Sequence, residues 1–146
     1  MTLLGLRGLP RHGAVWVALV AIGALLDGCA NPPPAPHNRL FAVDFSGAAR
    51  SCSAPSPALE PGRTTQVKMQ LANDGGWCAI TVRGAPYSAG LLVTPPAHGE
   101  VYIHPVGDDM RIDYTPSPGF TGADAFEVKL IPGDPVLQVS VAVTPR

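Results

Sequence analysis

Thr65-Gln66-Val67-Lys68-Met69-Gln70-Leu71-Ala72 alternates apolar and polar side chains without a break. Successive side chains on a strand point to opposite faces, so Val67, Met69 and Leu71 share one face and Gln66, Lys68 and Gln70 the other. Asn73-Asp74-Gly75-Gly76 follows, a turn by composition. Trp77 to Arg83 then resumes the alternation, with Cys78, Ile80 and Val82 on its apolar face. A half-buried strand, a tight turn and a second half-buried strand predict a β structure with one wet and one dry side.

The same rhythm runs through residues 39–146. Leu40 to Phe45 reads as a first strand, and Ser51 to Arg63 as a Pro- and Ser-rich loop holding Cys52. Gly90 to Thr94 is a short apolar strand. Gly99 to His104 and Met110 to Thr115 form a hairpin across Pro105–Asp109, with Val101 and Ile103 facing Ile112 and Tyr114. Ala123 to Ile131 turns Phe126, Val128 and Leu130 inward; after a Pro132–Pro135 turn, Leu137, Val139, Val141 and Val143 do the same. About eight short strands, with turn signals every 8–12 residues and no helical period, predict an all-β domain, an antiparallel Ig-like β-sandwich of about 7–8 strands.

The chain before this domain has another character. Met1 to Gly13 carries Arg7 and Arg11 and no acid, and Ala14 to Leu26 is an apolar run of 13 residues. A spanning helix needs roughly 20 apolar residues, whereas an export signal needs a core of about 7–15 behind a basic start. Residues 1–28 therefore read as a helical signal peptide. Asn31 to Asn38 carries four prolines, which favour an extended course, so 29–38 reads as a tether lifting a domain off a surface.

The signal ends in Leu26-Asp27-Gly28-Cys29, which resembles the lipobox of bacterial lipoproteins. Asp27 departs from it, since a small uncharged residue is usual there. The resemblance implies that Cys29 receives a diacylglyceryl group and becomes the new N-terminus. Ala30 is not the Asp associated with inner-membrane retention, so the expected home is the outer membrane, facing periplasm or cell surface. The alternative is ordinary cleavage after Ala30, because Gly28 and Ala30 satisfy the small-x-small rule.

Cys52 and Cys78 remain. An exported protein meets an oxidising compartment, no CxxC spacing is present, and the two are expected to pair. Closing that loop stabilises by about 3 kcal/mol. Trp77 directly adjoins Cys78, so the immunoglobulin-type spacing of a Cys on each sheet with a Trp between is absent, and the bridge reads as a loop staple and not as a pin between sheets. The alternative is a pair of free thiols.

Composition narrows function. The chain holds 10 Lys and Arg against 11 Asp and Glu, a net charge of −1, and the charges are scattered singly, which argues against nucleic acid as a partner. His98 and His104 lie about 20 Å apart along a strand, at roughly 3.3 Å per residue, and cannot grip one metal ion. Asp108, Asp109 and Asp113 lack the D-x-D-x-D-G order of a calcium loop and read as a solvated hairpin tip. No G-x-S-x-G, HExxH or phosphate-cradling glycine loop occurs. The expectation is a protein without catalytic residues, metal or cofactor. Trp77, Tyr87 and Tyr102 fall on or near outward positions and form a candidate binding face for a protein or glycan.

Thr94-Pro95-Pro96-Ala97-His98-Gly99-Glu100-Val101, followed by Asp113-Tyr114-Thr115-Pro116-Ser117-Pro118-Gly119-Phe120-Thr121-Gly122-Ala123-Asp124-Ala125-Phe126, resembles the Ig-like or cadherin-like repeats of large bacterial surface proteins. The likeness covers about residues 92–144, and it implies a spacer or adhesive module. Within it Tyr114 and Phe126 supply apolar bodies, Pro116 and Pro118 stiffen a crossing between sheets, and Gly119, Phe120 and Gly122 shape the turn. Asp124 shares the parity of Phe126 and is expected to accept backbone N–H bonds at the start of its strand. Calcium sits between neighbouring cadherin-like repeats; a single copy offers no neighbour to complete such a site.

Overall fold

The alternation that begins at Thr64 becomes a strand because its apolar face has a second sheet to pack on. In the computed structural model, which describes residues 40–84 and 87–146, the strands are β1 (Cys52–Ser53), β2 (Thr64–Ala72), β3 (Cys78–Val82), β4 (Ala89–Thr94), β5 (Gly99–Val106), β6 (Asp109–Pro116), β7 (Gly122–Ile131) and β8 (Val136–Thr144). They form a five-stranded sheet, β1-β2-β8-β7-β4, and a three-stranded sheet, β3-β6-β5. The signal, Cys29 and the tether lie outside the described residues.

The two sheets close face to face over one core. β2, β7 and β8 contribute Val67, Met69, Leu71, Phe126, Val128, Leu130, Leu137 and Val139, and the smaller sheet answers with Ile80, Val82, Met110, Ile112 and Tyr114. These are the inward positions of the alternating pattern, which makes the domain an all-β sandwich.

One pairing departs from the expected antiparallel order. β2 and β8 run parallel through nine residue pairs, from Thr64 opposite Val136 to Ala72 opposite Thr144. The reason is topological. The Asn73–Gly76 turn does not fold β2 back on itself but carries the chain into the other sheet, so β2 is left to pair with the last strand. The hairpin β5–β6 keeps its predicted register, with Val101 opposite Tyr114 and Ile103 opposite Ile112. It turns through Gly107 at φ 61°, a conformation open to glycine at little cost.

Leu40 to Phe45 is not a strand. Ala42–Phe45 is a 3-10 helix. Asp44 drives this: its carboxylate accepts the Phe41 N–H at 2.7 Å while its own N–H donates to the Phe41 carbonyl at 3.0 Å. A local side-chain bond of this kind competes with extended pairing.

Cys52 and Cys78 are bonded, with Cα atoms 5.3 Å apart. Cys52 belongs to β1, paired with Leu71 on β2, while Cys78 belongs to β3. The bridge therefore joins the two sheets, and the loop-staple expectation is corrected: the short strand β1 was hidden inside a Pro-rich stretch.

Candidate functional site

Met110, Ile112 and Tyr114 point from β6 into the core, so Arg111 and Asp113 must point outward. Yet each is only 6% exposed. They are covered by the segment 42–49, which crosses the outer face of the three-stranded sheet. The segment is pinned there by backbone bonds to Trp77, with Trp77 N–H donating to Gly47 O at 3.1 Å and Ala49 N–H to Trp77 O at 2.8 Å. Trp77 Nε1 donates to Ser46 O at 2.8 Å. Gly76 permits the approach, since a Cβ there would stand 2.4 Å from the Ala49 nitrogen.

Beneath the segment lies a charged group. Arg111 Nε donates to Asp113 Oδ1 at 2.8 Å and Nη2 to Oδ2 at 2.9 Å, a bidentate pair, while Nη1 donates to Asp44 O. His104 Nε2 is 3.1 Å from Asp113 Oδ2. A carboxylate only accepts, so Nε2 carries the hydrogen. The guanidinium sits 4.3 Å from the Trp77 ring centroid, a cation–π distance. Tyr102 stacks on His104 at 4.5 Å between centroids. Cross-strand pairing explains the assembly: His104 is opposite Arg111 and Tyr102 opposite Asp113, and β3 places only Ala79 and Thr81 beside them.

A cleft of about 430 Å³ opens at the edge of this group, lined by Val43, Trp77, Tyr102, His104, Arg111 and Asp113. The candidate aromatic face is thus only partly assembled. Trp77 and Tyr102 meet at the cleft, with Trp77 half-buried and bonded, and Tyr102 is 65% exposed. Tyr87 is half-buried and packs against the core. His98 is exposed, whereas His104 is half-buried against Asp113, and the expectation of a solvated Asp113 is corrected because its side chain is buried. Asp108 and Asp109 do stand at the hairpin tip, where Asp109 Oδ1 accepts the Gly84 N–H at 2.9 Å. Among the described residues no group of three or more His, Cys, Asp or Glu is placed to hold a metal ion.

Sequence reasoning missed the Arg111–Asp113–His104 group. A signal existed: opposite charges two apart on one strand share a face, with a histidine on the next strand. What could not be seen was the cover.

The second polar cluster is the one the repeat-like motif points to. Asp124 at the start of β7 accepts Ala97 N–H and His98 N–H at 2.9 Å each, its own neighbour Ala125 N–H at 2.9 Å, and the Tyr114 hydroxyl at 2.8 Å. Burial pushes its carboxyl up, but these four hydrogen bonds outweigh that and hold it below the usual carboxylate range. Burial and the adjacent Asp124 carboxylate push the Tyr114 hydroxyl well above its ordinary value. Tyr114 stacks on Phe126 at 5.8 Å. Gly99 lies against Tyr114, where a Cβ would stand 2.4 Å from the ring. Pro116 ends β6, and Phe120 stacks on His98 at 4.2 Å. Gly119 and Gly122 take φ of 77° and 131° in the crossing to β7.

No protein-family model matches the chain, and no curated protein matches it.

Proposed function

We propose that this is an exported bacterial envelope lipoprotein, anchored through acylated Cys29 and a Pro-rich tether, whose domain 39–146 is a single Ig-like, cadherin-like repeat module serving a structural or interaction role without catalysis. One observation carries the module reading. The residues that resemble the surface-repeat motif bind one another: Asp124 gathers Tyr114 and the backbone of residues 97 and 98, and Gly99 admits the Tyr114 ring. Residues engaged in joining the entry of β5 to the start of β7 serve the fold and not a ligand. The charged group under segment 42–49 has the same character, because both Asp113 oxygens accept hydrogen bonds from Arg111 beneath that segment.

The anchor has a direct test. Cells expressing the wild-type chain should incorporate palmitate into it, and Cys29→Ser should abolish the labelling. Undiminished labelling of Cys29→Ser overturns the lipoprotein reading.

The cleft beside Tyr102 favours a second reading, a lipoprotein that recognises an envelope protein or glycan through an exposed aromatic. Cross-linking in intact cells separates the two. Tyr102→Ala should remove a cross-linked partner if the face binds one and leave the pattern unchanged if the role is structural.

A further inference from the structure

We propose that Leu40, Phe41, Val43 and Phe45, with Tyr102 beside them, form a surface that seats on a lipid bilayer, so that the domain lies against the membrane instead of standing away from it. The inference rests on the anchor at Cys29.

These four apolar side chains are 61%, 60%, 72% and 59% exposed. They crowd into six consecutive residues, and water opposes such an arrangement unless something covers it. The backbone that bears them is not free to turn them inward. Arg111 holds Asp44 O, and Trp77 holds Ser46 O and Gly47 O. The fold thus presents this face outward by construction.

Several features suit a lipid surface. The segment meets much of its own backbone demand, with Phe41 N–H on the Asp44 carboxylate and Ser46 N–H on Val43 O at 3.1 Å. That lowers the cost of leaving water. Asp44 is the only acid between residues 37 and 50, and it is turned back onto the backbone; Arg39 and Arg50 flank the segment in sequence. Tyr102, which shares the cleft with Val43, has the apolar body and polar tip found at membrane–water interfaces. No helix among the described residues is long and apolar enough to cross a membrane, so this contact is one of lying on the surface.

The occupant follows from chain length. Leu40 is eleven positions after Cys29, and eleven residues reach at most about 40 Å even when fully extended. Acyl chains at Cys29 therefore hold the patch permanently within a domain's width of the bilayer, an effective concentration that no soluble partner matches.

The test uses the exported chain purified from cells, its acyl state read by mass spectrometry, in vesicles of phosphatidylcholine brominated on the acyl chains. Phe41→Trp and Phe45→Trp report the patch, and Ser140→Trp reports the outer face of the five-stranded sheet; the Trp77 signal common to all is subtracted. Insertion to a depth of about 5–10 Å should make bromine quenching at 41 and 45 about threefold greater than at 140. Acylated protein with equal quenching at all three positions overturns the docking and leaves the anchor standing. A blue shift at 41 that grows with protein concentration, without bromine quenching, assigns the patch to a second copy and likewise overturns it. Absence of acyl mass at Cys29 is the separate failure of the anchor reading, and it removes the basis for docking as well.

Discussion

The outer faces of the two sheets are written in the same alternating code, yet they end in different environments. On the five-stranded sheet Gln66, Lys68 and Gln70 of β2 and Gln138 and Ser140 of β8 stand exposed. On the three-stranded sheet the equivalent positions of β6, Arg111 and Asp113, are buried under a segment from earlier in the chain. Alternation settles which side of a strand faces away from the core. It does not settle whether that side meets water. The same polar side chains are therefore nearly neutral on one face and decisive on the other.

The largest expected effect comes from breaking the covered face. Asp113→Ala leaves the Arg111 charge buried, with Asp44 O and the Trp77 ring as its remaining partners among the described residues. Removing one partner of a buried ion pair costs roughly 3–5 kcal/mol. Urea unfolding of the variant should show a loss of that size. Replacing both residues together, Arg111→Met with Asp113→Leu, removes the stranded charge and should restore most of the stability. A loss below about 1 kcal/mol for Asp113→Ala would mean that the cover opens and lets water reach Arg111.

Next in size is the bond between the sheets. Cys52 and Cys78 are 26 residues apart in sequence. Cross-linking a loop of that length restricts the unfolded chain by about 3 kcal/mol. The bond also ties β1 of the larger sheet to β3, next to the strand entry where segment 42–49 is pinned. Cys52→Ser with Cys78→Ser should lower stability by about that amount. Hydrogen exchange should rise first at β1 and at residues 47–49, and last in the β2–β8 pairing. Uniform exchange across both sheets would show that the bond acts only on the unfolded chain.

The legibility of the sequence divides along the same line. The strands β2, β3 and β5 to β8, and their inward residues, follow from period two, because a sandwich core demands it at every turn of the chain. The bonded cysteine pair also follows, from compartment and spacing. Three features do not. The parallel β2–β8 ladder depends on where the chain goes after Asn73, and a turn signal carries no information about the sheet it leads to. The 3-10 helix at Ala42–Phe45 imitates a strand in its apolar spacing, and only the Asp44 bond to its own backbone decides otherwise. The Arg111–Asp113–His104 group was in plain sight as residue types, but its burial is supplied by residues 42–49 from across the fold. Asp124 was legible by contrast, since its strand-start position and inward parity are local properties.

Asp124 supplies a smaller test, at a site outside both faces. One oxygen accepts Ala97 N–H and Ala125 N–H; the other accepts His98 N–H and the Tyr114 hydroxyl. Asp124→Asn puts an amide N–H₂ against one of these donor pairs whichever way it is turned, which should cost about 2 kcal/mol. The pH dependence has a definite sign. The folded carboxyl is held below its unfolded value near 3.8, so the unfolded chain takes up a proton first as pH falls. The contribution is complete above about pH 5 and is lost progressively as pH drops through 4 toward the folded value. Asp74, held down chiefly by the Arg50 N–H and then by the Gly76 N–H, adds in the same direction. Melting temperatures between pH 3 and 7 should fall less steeply toward acid in Asp124→Asn than in the wild type; equal slopes would remove Asp124 from the acid response.

The smallest effect is the one that sharpens the comparison most. Gln138 lies on the outer face of the five-stranded sheet, and among the described residues its side-chain partner is Gln66, at 3.4 Å. Both ends of that bond are exposed, so losing it exchanges one contact for water on each side. Gln138→Ala should change stability by no more than about 0.5 kcal/mol. Lys68→Ala, beside it on β2, should do the same, because the register opposes it to Ser140 and not to an acid. Urea unfolding of these two variants beside Asp113→Ala reads the comparison directly: polar outward residues on strands of one domain, differing in whether a segment lies over them. A loss of 2 kcal/mol or more at Gln138, about four times the ordinary surface value, would mean that this face too is covered, and the distinction between an open and a sealed sheet would fall.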